Sequence, residues 1–302
     1  MLPSASTILV PLVALALASS VATSASAQDS GCTDDGWCTV YELPRSPETR
    51  RLGRWLHAIW GSDSNNIFAV GRRTIVHFDG STWTLQDNQA DSGIFDVEGT
   101  APNEVYAVGS NRTIQRWNGT EWLLEHRDRR AGLRAGHLDN IFVLPGGEII
   151  TTDIAVWRRG NGTWERLSTD PFRYLDELRT RYPELLGPGH APACRQSGYA
   201  VAAGNGVWLA QCPNRRIYLW QAGSWTEIGR LDGPQRSVHS GWYVRPDLIF
   251  VGQSAGIIRR YDGSAWHSEA TGTRRTQGIG EFWSDGTWLY ATALSRIIRR
   301  RL

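Results

Sequence analysis

Residues 60–83 read WGSDSNNIFAVGRRTIVHFDGSTW, and residues 98–122 read EGTAPNEVYAVGSNRTIQRWNGTEW. Both carry an apolar run ending in Ala-Val-Gly, a turn, Thr-Ile, an aromatic residue, an Asp/Asn-Gly pair and a Trp. That Trp returns at Trp83, Trp122, Trp164, Trp225 and Trp266, with spacings of 39, 42, 61 and 41 residues. A repeat of this period built from short strands predicts a β-propeller. Asp79-Gly80 marks the turn of the outer hairpin, because Gly accepts the positive φ that such a turn needs.

Each unit parses into four strands, a to d, with strand a lining the central channel. The first unit gives Leu56–Trp60, Ile67–Val70, Thr74–Phe78 and Trp83–Gln86; the second gives Phe95–Val97, Val105–Val108, Thr113–Trp117 and Trp122–Glu125. The third is degenerate, with Ile141–Leu144, Ile154–Arg158 and the turn Asn161-Gly162-Thr163-Trp164. Tyr199–Ala203, Val207–Gln211, Ile217–Trp220 and Trp225–Ile228 form the fourth. Val238–Trp242, Leu248–Val251, Ile257–Tyr261 and Trp266–Ser268 form the fifth.

Gly280–Trp283, Trp288–Thr292 and Ile297–Arg301 supply strands a, b and c of a sixth unit, and the chain then stops. Its missing strand d is available at the other end, where Asp35-Gly36-Trp37 leads into Thr39–Leu43. The expected fold is therefore all-β: a six-bladed propeller of four-stranded antiparallel blades, closed by pairing of the N- and C-terminal strands. Closure removes sheet edges that would otherwise invite aggregation. A seventh blade would need a unit hidden in the insertion between Ser168 and Ser197. There Asp170-Pro171 reads as a helix start, with Phe172, Leu175, Leu178, Tyr182, Leu185 and Leu186 largely on one face.

Residues 1–27 read as a signal peptide, leaving 28–302 as a single propeller domain. Ile8 to Ala18 is too short to span a bilayer, and Ala25-Ser26-Ala27 is a small-residue cleavage pattern. No later stretch reaches transmembrane length. Secretion or a periplasmic location is expected after cleavage near Ala27, and the mature chain is expected to be a monomer. In an exported chain the even set Cys32, Cys38, Cys194 and Cys212 reads as disulfides. Three pairings exist; Cys32–Cys38 and Cys194–Cys212 are favoured because each stays within a hairpin's reach. Neither these cysteines nor the seven histidines show metal-ligand spacing, so no metal and no cofactor is expected.

The units WGSDSNNIFAVG–RRTIVHFDGSTW and EGTAPNEVYAVG–SNRTIQRWNGTEW resemble a family of secreted propeller repeats found in large-genome soil bacteria such as myxobacteria. The resemblance is specific over residues 55–125, moderate over 237–268 and loose elsewhere. It implies a propeller fold with no assigned activity. The kelch double glycine and the Gly-His…Trp-Asp pattern of WD40 repeats are both missing, apart from Gly146-Gly147. The Asp-Gly-x-x-Trp hairpin departs from the Asp-box of sialidases, whose Asp and Gly are one residue apart.

All 32 basic residues are Arg, against 30 acidic residues. In an up-and-down blade the d–a and b–c connections share one face of the disc. Assigned by this rule, that face holds 22 of the Arg and 11 of the acids, so a net charge of +2 conceals a polarised molecule. Its clusters are Arg50, Arg51 and Arg54; Arg72 and Arg73; Arg127, Arg129 and Arg130; Arg215 and Arg216; and Arg274 and Arg275.

Such a face suits an anionic polysaccharide or an envelope protein. Nucleic acid is not expected, since an exported chain seldom meets it and stacking aromatics beside the Arg clusters are sparse. The recurring Trp residues read as packing between blades rather than as a sugar platform. Inside the ring, His57 and His239 occupy equivalent places in strand a, with Asp96 and Glu281 near them in register, giving a polar and partly acidic bore. The reading is a non-catalytic binding or scaffold module. The alternative is a glycan-active hydrolase or lyase at the channel mouth, and a third reading is an assembly factor docking through the acidic face.

Overall fold

The computed structural model describes residues 25–26, 30–45, 54–128, 136–144, 147–152, 156–160, 162–168, 176–178, 180–182, 199–204, 206–234, 236–273 and 278–302. These form six antiparallel sheets, each a blade. Blade 1 comprises Leu56–Asp63, Asn66–Gly71, Thr74–Phe78 and Thr82–Gln86. Blade 2 comprises Ile94–Ala101, Glu104–Gly109, Ile114–Trp117 and Trp122–His126. Blade 3 comprises Asn140–Val143, Ile149–Thr152, Val156–Gly160 and Thr163–Ser168. Blade 4 comprises Tyr199–Ala202, Trp208–Gln211, Arg216–Gln221 and Ser224–Arg230. Blade 5 comprises Val238–Arg245, Leu248–Gln253, Ile257–Tyr261 and Trp266–Glu269.

Blade 6 is built from both ends of the chain. Ile279–Ser284, Trp288–Ala293 and Arg296–Arg301 supply strands a to c, and Cys38–Glu42 pairs antiparallel with the last of them. The register places Ile297 opposite Tyr41 and Ile298 opposite Thr39. Ser30–Cys32 extends this sheet, and Cys32 is disulfide-bonded to Cys38 within it. Cys212 is disulfide-bonded as well, while Cys194 lies outside the described residues. Ala25–Ser26, inside the segment read as a signal peptide, pairs with Trp83 and Thr82 on the outer edge of blade 1. Residues 1–24 and 27 of that segment lie outside the described residues.

Strand b is largely apolar and buried because neighbouring blades cover both of its faces. In blade 1, Ile67, Phe68, Ala69 and Val70 have no exposed surface. The Gly that closes Ala-Val-Gly has a steric cause. A Cβ on Gly71 would lie 1.5 Å from the Trp55 carbonyl oxygen, and one on Gly109 would lie 2.1 Å from that of Gly93. Those carbonyls accept hydrogen bonds from the next residues, Arg72 N at 3.0 Å and Ser110 N at 2.8 Å. The motif therefore ties the end of strand b to the start of strand a.

The Asp/Asn-Gly turns repeat one hydrogen-bond pattern. Asp79 Oδ1 accepts from Ser81 N and Thr82 N at 2.9 and 2.8 Å, Asn118 Oδ1 from Thr120 N and Glu121 N, and Asp262 Oδ1 from Ser264 N and Ala265 N. The Trp after the turn then reaches back to the preceding blade. Trp83 packs on Tyr41 of blade 6, and Trp122 packs edge-on against Phe68 of blade 1. Trp164 Nε1 donates to Glu125 of blade 2, Trp266 Nε1 to the Ile228 carbonyl of blade 4, and Trp37 Nε1 to Glu269 of blade 5. The packing role expected of these Trp residues holds at five junctions. Trp225 instead packs with Ala210, Cys212 and Tyr218 of its own blade.

Hydrophobic clusters fill the junctions 6–1, 1–2, 2–3, 4–5 and 5–6. The junction of blades 3 and 4 borders the insertion, most of which lies outside the described residues. Residues 176–178 and 180–181 of it are helical, and Leu178 and Tyr182 pack on Leu144 and Ile150 of blade 3. In blade 3 the sequence reading missed strand b at Ile149–Thr152. The strand read from Ile154 begins instead at Val156, as strand c. No helix among the described residues is long and apolar enough to cross a membrane.

Candidate functional site

The inner strands of all six blades surround one cavity of about 660 Å³. When the blades are aligned on strand a, equivalent positions form layers around it. One layer carries His57, Phe95, Asp139, His239 and Gly280; the next carries Ala58, Asp96, Asn140, Ser240 and Glu281. Two residues further along come Trp60, Glu98, Phe142, Trp242 and Trp283, a collar of four aromatic rings and one acid. Blade 4 adds Val201, Ala202 and Trp208.

Two rings of the collar are seated on glycines of the next blade. A Cβ at Gly61 would come within 2.6 Å of the Trp283 ring, and one at Gly99 within 2.4 Å of the Trp60 ring. Small residues in the Trp-Gly segment thus let each indole lie across a blade junction while keeping part of its surface on the cavity. At the first layer His57 and Phe95 stand 5.9 Å apart, and Phe95 and His137 5.5 Å. Trp55, which is 56% exposed, continues this row 6.0 Å from His57.

Asp96 and Glu281 occupy the same position and do the same structural work. Asp96 Oδ2 accepts from Ile141 N of blade 3 at 2.9 Å, and Glu281 Oε2 accepts from Ile59 N of blade 1 at 3.1 Å. Each carboxylate therefore fastens its blade to the next. Enclosure in the channel raises both above the ordinary carboxylate range, and mutual repulsion among the acids raises Glu281 further. Glu98 is pushed up to about 8, first by enclosure and then by the Asp96 charge, with the Trp60 indole opposing. All three keep some surface on the cavity. Burial lowers His57.

The bore expected from His57, His239, Asp96 and Glu281 is thus present. Glu98 and the aromatic collar were missed, although an aromatic just before the end of strand a recurs in GWYV, EFWS and IWGS. No group of three or more His, Cys, Asp or Glu could hold a metal ion among the described residues.

The Arg clusters fare differently. Arg50, Arg51, Arg129, Arg130, Arg274 and Arg275 lie outside the described residues. Arg54 donates to Glu42 Oε1 at 3.0 Å and to the Leu43 carbonyl at 2.8 Å, within the connection from blade 6 to blade 1. Arg127 is buried, donates to the Gln89 carbonyl and pairs with Asp91 at 3.6 Å. Arg215 donates to the Gly233 carbonyl, and Arg216 pairs with Glu227 at 2.7 Å. Arg72 is exposed, and half-buried Arg73 has an Nε without a hydrogen-bond partner. The shared face of the b–c and d–a connections is confirmed by the bridge between Arg72 and Gly93 and by the Leu231 N to Arg215 O bond.

Two ion clusters on the outer strands were not foreseen. Glu125 of blade 2 is held by Arg116 of its own blade at 2.6 Å, and by Arg159 at 3.1 Å and Trp164 Nε1 at 2.8 Å of blade 3. Burial opposes its ionisation, but these donors outweigh it and hold the carboxyl below its usual range. Glu269 of blade 5 repeats the arrangement with Arg260 at 2.8 Å, Arg300 and Trp37 Nε1.

No family model matches the chain, and no curated protein matches it. Solved structures do. YCF48 bound to a D1 peptide shares 14% identity at a TM-score of 0.64, over 90% of this chain and 97% of that one. YCF48 from Cyanidioschyzon merolae shares 13% at 0.53, over 88% and 99%. The WD40 β-propeller domain of Doa1 shares 9% at 0.56, over 87% and 96%. At these identities the likeness establishes the fold: the chain is a β-propeller.

Proposed function

We propose that this protein is a non-catalytic binding module whose ligand enters the central channel. The observation that carries this reading is the channel itself: a cavity of about 660 Å³ walled by the aromatic collar, Trp208 and four carboxylates. That size and the mixture of apolar wall with a few convergent polar groups are those of ligand sites. The YCF48 structure with a bound D1 peptide offers a precedent for a propeller of this fold acting as a binding protein. Export is part of the reading, because the Cys32–Cys38 bridge suits an oxidising compartment.

The hydrolase reading is weaker on physical grounds. Two-carboxylate hydrolysis needs one acid kept protonated and its partner kept ionised. Here enclosure pushes Asp96, Glu98 and Glu281 the same way, and two of them are committed to backbone donors of the next blade. A second reading, an anionic partner on the Arg-rich face, rests on exposed Arg72 standing next to exposed Trp55, to whose carbonyl its N–H donates.

The test of the channel is a plug. Ala202 lies exposed on the bore, so Ala202→Trp fills the cavity without removing a contact. The mature protein is screened on glycan and peptide arrays; ligands found this way should bind the plugged variant at least tenfold more weakly and should be recovered unaltered. Undiminished binding by a folded plugged variant refutes the channel, and a cleaved ligand refutes the non-catalytic reading.

A further inference from the structure

Resting on the channel reading, we propose that the group held there is an organic cation, an ammonium or guanidinium, placed between the carboxylates of Asp96, Glu98 and Glu281 and the indoles of Trp60, Trp242 and Trp283. Three observations converge on this chemistry.

The first is charge. The cavity wall carries Asp96, Glu98, Asp139 and Glu281, and its basic side chains are two histidines; among the described residues no Arg lines it, in a chain with 32 of them. Elsewhere in the fold buried carboxylates are answered by Arg, as Glu125 and Glu269 are. Asp96, Glu98 and Glu281 have backbone and indole donors but, among the described residues, no such cation. An enclosed carboxylate without a countercharge is costly, and a bound cation relieves that cost.

The second is the wall. Indole faces attract cations, most strongly where water is excluded. Three indoles of the collar share a layer with Glu98, which also receives a hydrogen bond from Trp60.

The third separates an organic cation from a metal ion. The acids come from blades 2 and 6 and, with the histidines, form no group close enough to coordinate one metal among the described residues. Separated acceptors on an apolar wall match a cation of several atoms, whose carbon skeleton lies on the rings while its N–H groups reach different oxygens.

The experiment uses the full mature chain with two cationic probes: spermidine, and the peptide acetyl-Gly-Arg-Gly-amide. The neutral probe is acetyl-Gly-Gln-Gly-amide. Binding is followed by calorimetry and by tryptophan fluorescence. Glu98→Gln and Glu281→Gln keep an acceptor for Trp60 and for Ile59 N, so both variants should fold, which their melting curves verify. At least one cationic probe should bind saturably, with affinity falling at least tenfold in each variant. Arg245→Gln, at an exposed pair with Asp247, should leave it within twofold. Tighter spermidine than peptide assigns the site to free amines, and the reverse assigns it to a basic side chain of a polypeptide. The proposal is overturned if neither cationic probe binds, or if both bind the folded Gln variants as they bind the parent. If the neutral peptide binds instead, insensitive to the Gln changes but lost in Trp242→Ala, the channel still binds and only its cation preference is refuted.

Discussion

Trp37 makes the ring closure testable with a single side chain. It follows the turn that delivers the N-terminal strand into blade 6, is 1% exposed, and packs edge-on against Phe250 of blade 5 at 6.1 Å. Its Nε1 donates to Glu269 Oε2 at 2.7 Å. Trp37→Ala removes a fully buried ring from the 5–6 junction, a change that costs about 3–5 kcal/mol. Trp37→Phe keeps most of the packing and removes the N–H, for which about 1.5–3 kcal/mol is expected because the acceptor is charged. Glu269 retains Arg260 and Arg300 in both variants, so neither leaves a bare buried charge. A domain of this size shifts about 2–4 °C per kcal/mol, so Trp37→Ala should melt about 10–15 °C below the parent and Trp37→Phe about 5 °C below. The control is Trp225→Ala, since Trp225 is half-buried and packs within its own blade; its cost should stay under about 2 kcal/mol. Circular dichroism melts of the mature chain decide the matter. If Trp37→Ala melts within about 3 °C of the parent, or no lower than Trp225→Ala, the N-terminal strand does not close the ring as described.

Stability should depend on pH through the channel. The groups facing one another there are Asp96 and Glu98 from blade 2, Glu281 from blade 6, Asp139 beside blade 3, His57 from blade 1 and His239 from blade 5. Raised carboxyls stabilise the fold while protonated, and that contribution is lost as pH rises through the folded-state values, about 8 for Glu98. His57 is lowered, so its unfavourable contribution appears only in more acidic solution. Melting temperature should therefore fall between pH 6.5 and 8.5, and the triple change Asp96→Asn, Glu98→Gln, Glu281→Gln should flatten the slope; a parent that is more stable at pH 8.5 contradicts the assignment. Gly71→Ala drives a methyl into the Trp55 carbonyl and should cost at least about 3 kcal/mol, measured by urea unfolding. A cost below about 1 kcal/mol would mean that the Ala-Val-Gly motif is not set by this approach. On the Arg-rich face, retention on heparin should weaken sharply when Arg72, Arg73, Arg129 and Arg130 become Gln, and far less when Arg158, Arg159, Arg245 and Arg259 do. Equal losses from both sets would mean diffuse charge attraction without a binding face.

In blades 1, 2 and 5, strands b, c and d were legible to within a residue or two, while strand a runs three or four residues beyond its read end. Thr74–Phe78 was read with its observed bounds, and the N-terminal strand read as Thr39–Leu43 is Cys38–Glu42. Blade 3 was not, because its strand b, Ile149–Thr152, lacks Ala-Val-Gly and follows Pro145-Gly146-Gly147, which reads as an extended loop. The acidic bore was legible from register alone, since residues at equal places in strand a must face one channel. The collar was visible in principle but hidden by a stronger pattern, the outer Trp that packs between blades. The partners of the Arg residues were not legible at all. Arg159 meets Glu125 and Glu104 from the neighbouring blade, and Arg296 reaches Glu42 from the other end of the chain; neither contact is local in sequence.

The inter-blade pairing of Arg changes where function should be sought. An Arg fork can hold two acceptors at once, and in this fold it does so between blades. Arg159 spans two carboxylates of blade 2, Arg116 and Arg159 grip Glu125 from both sides, and Arg260 and Arg300 do the same to Glu269. Among the described residues of the basic clusters, four of six Arg side chains are likewise tied to carbonyls or acids. Much of the positive charge counted along the chain is therefore spent inside the architecture and is not displayed to a partner. The negative charge of the bore has no such answer: Asp96, Glu98 and Glu281 are enclosed, face one another and meet no Arg among the described residues. An unanswered charge in an enclosed, aromatic-walled cavity has more to gain from a ligand than an exposed Arg whose field is screened within ~10 Å at 0.1 M salt. The channel is the place to look first, and the rim second.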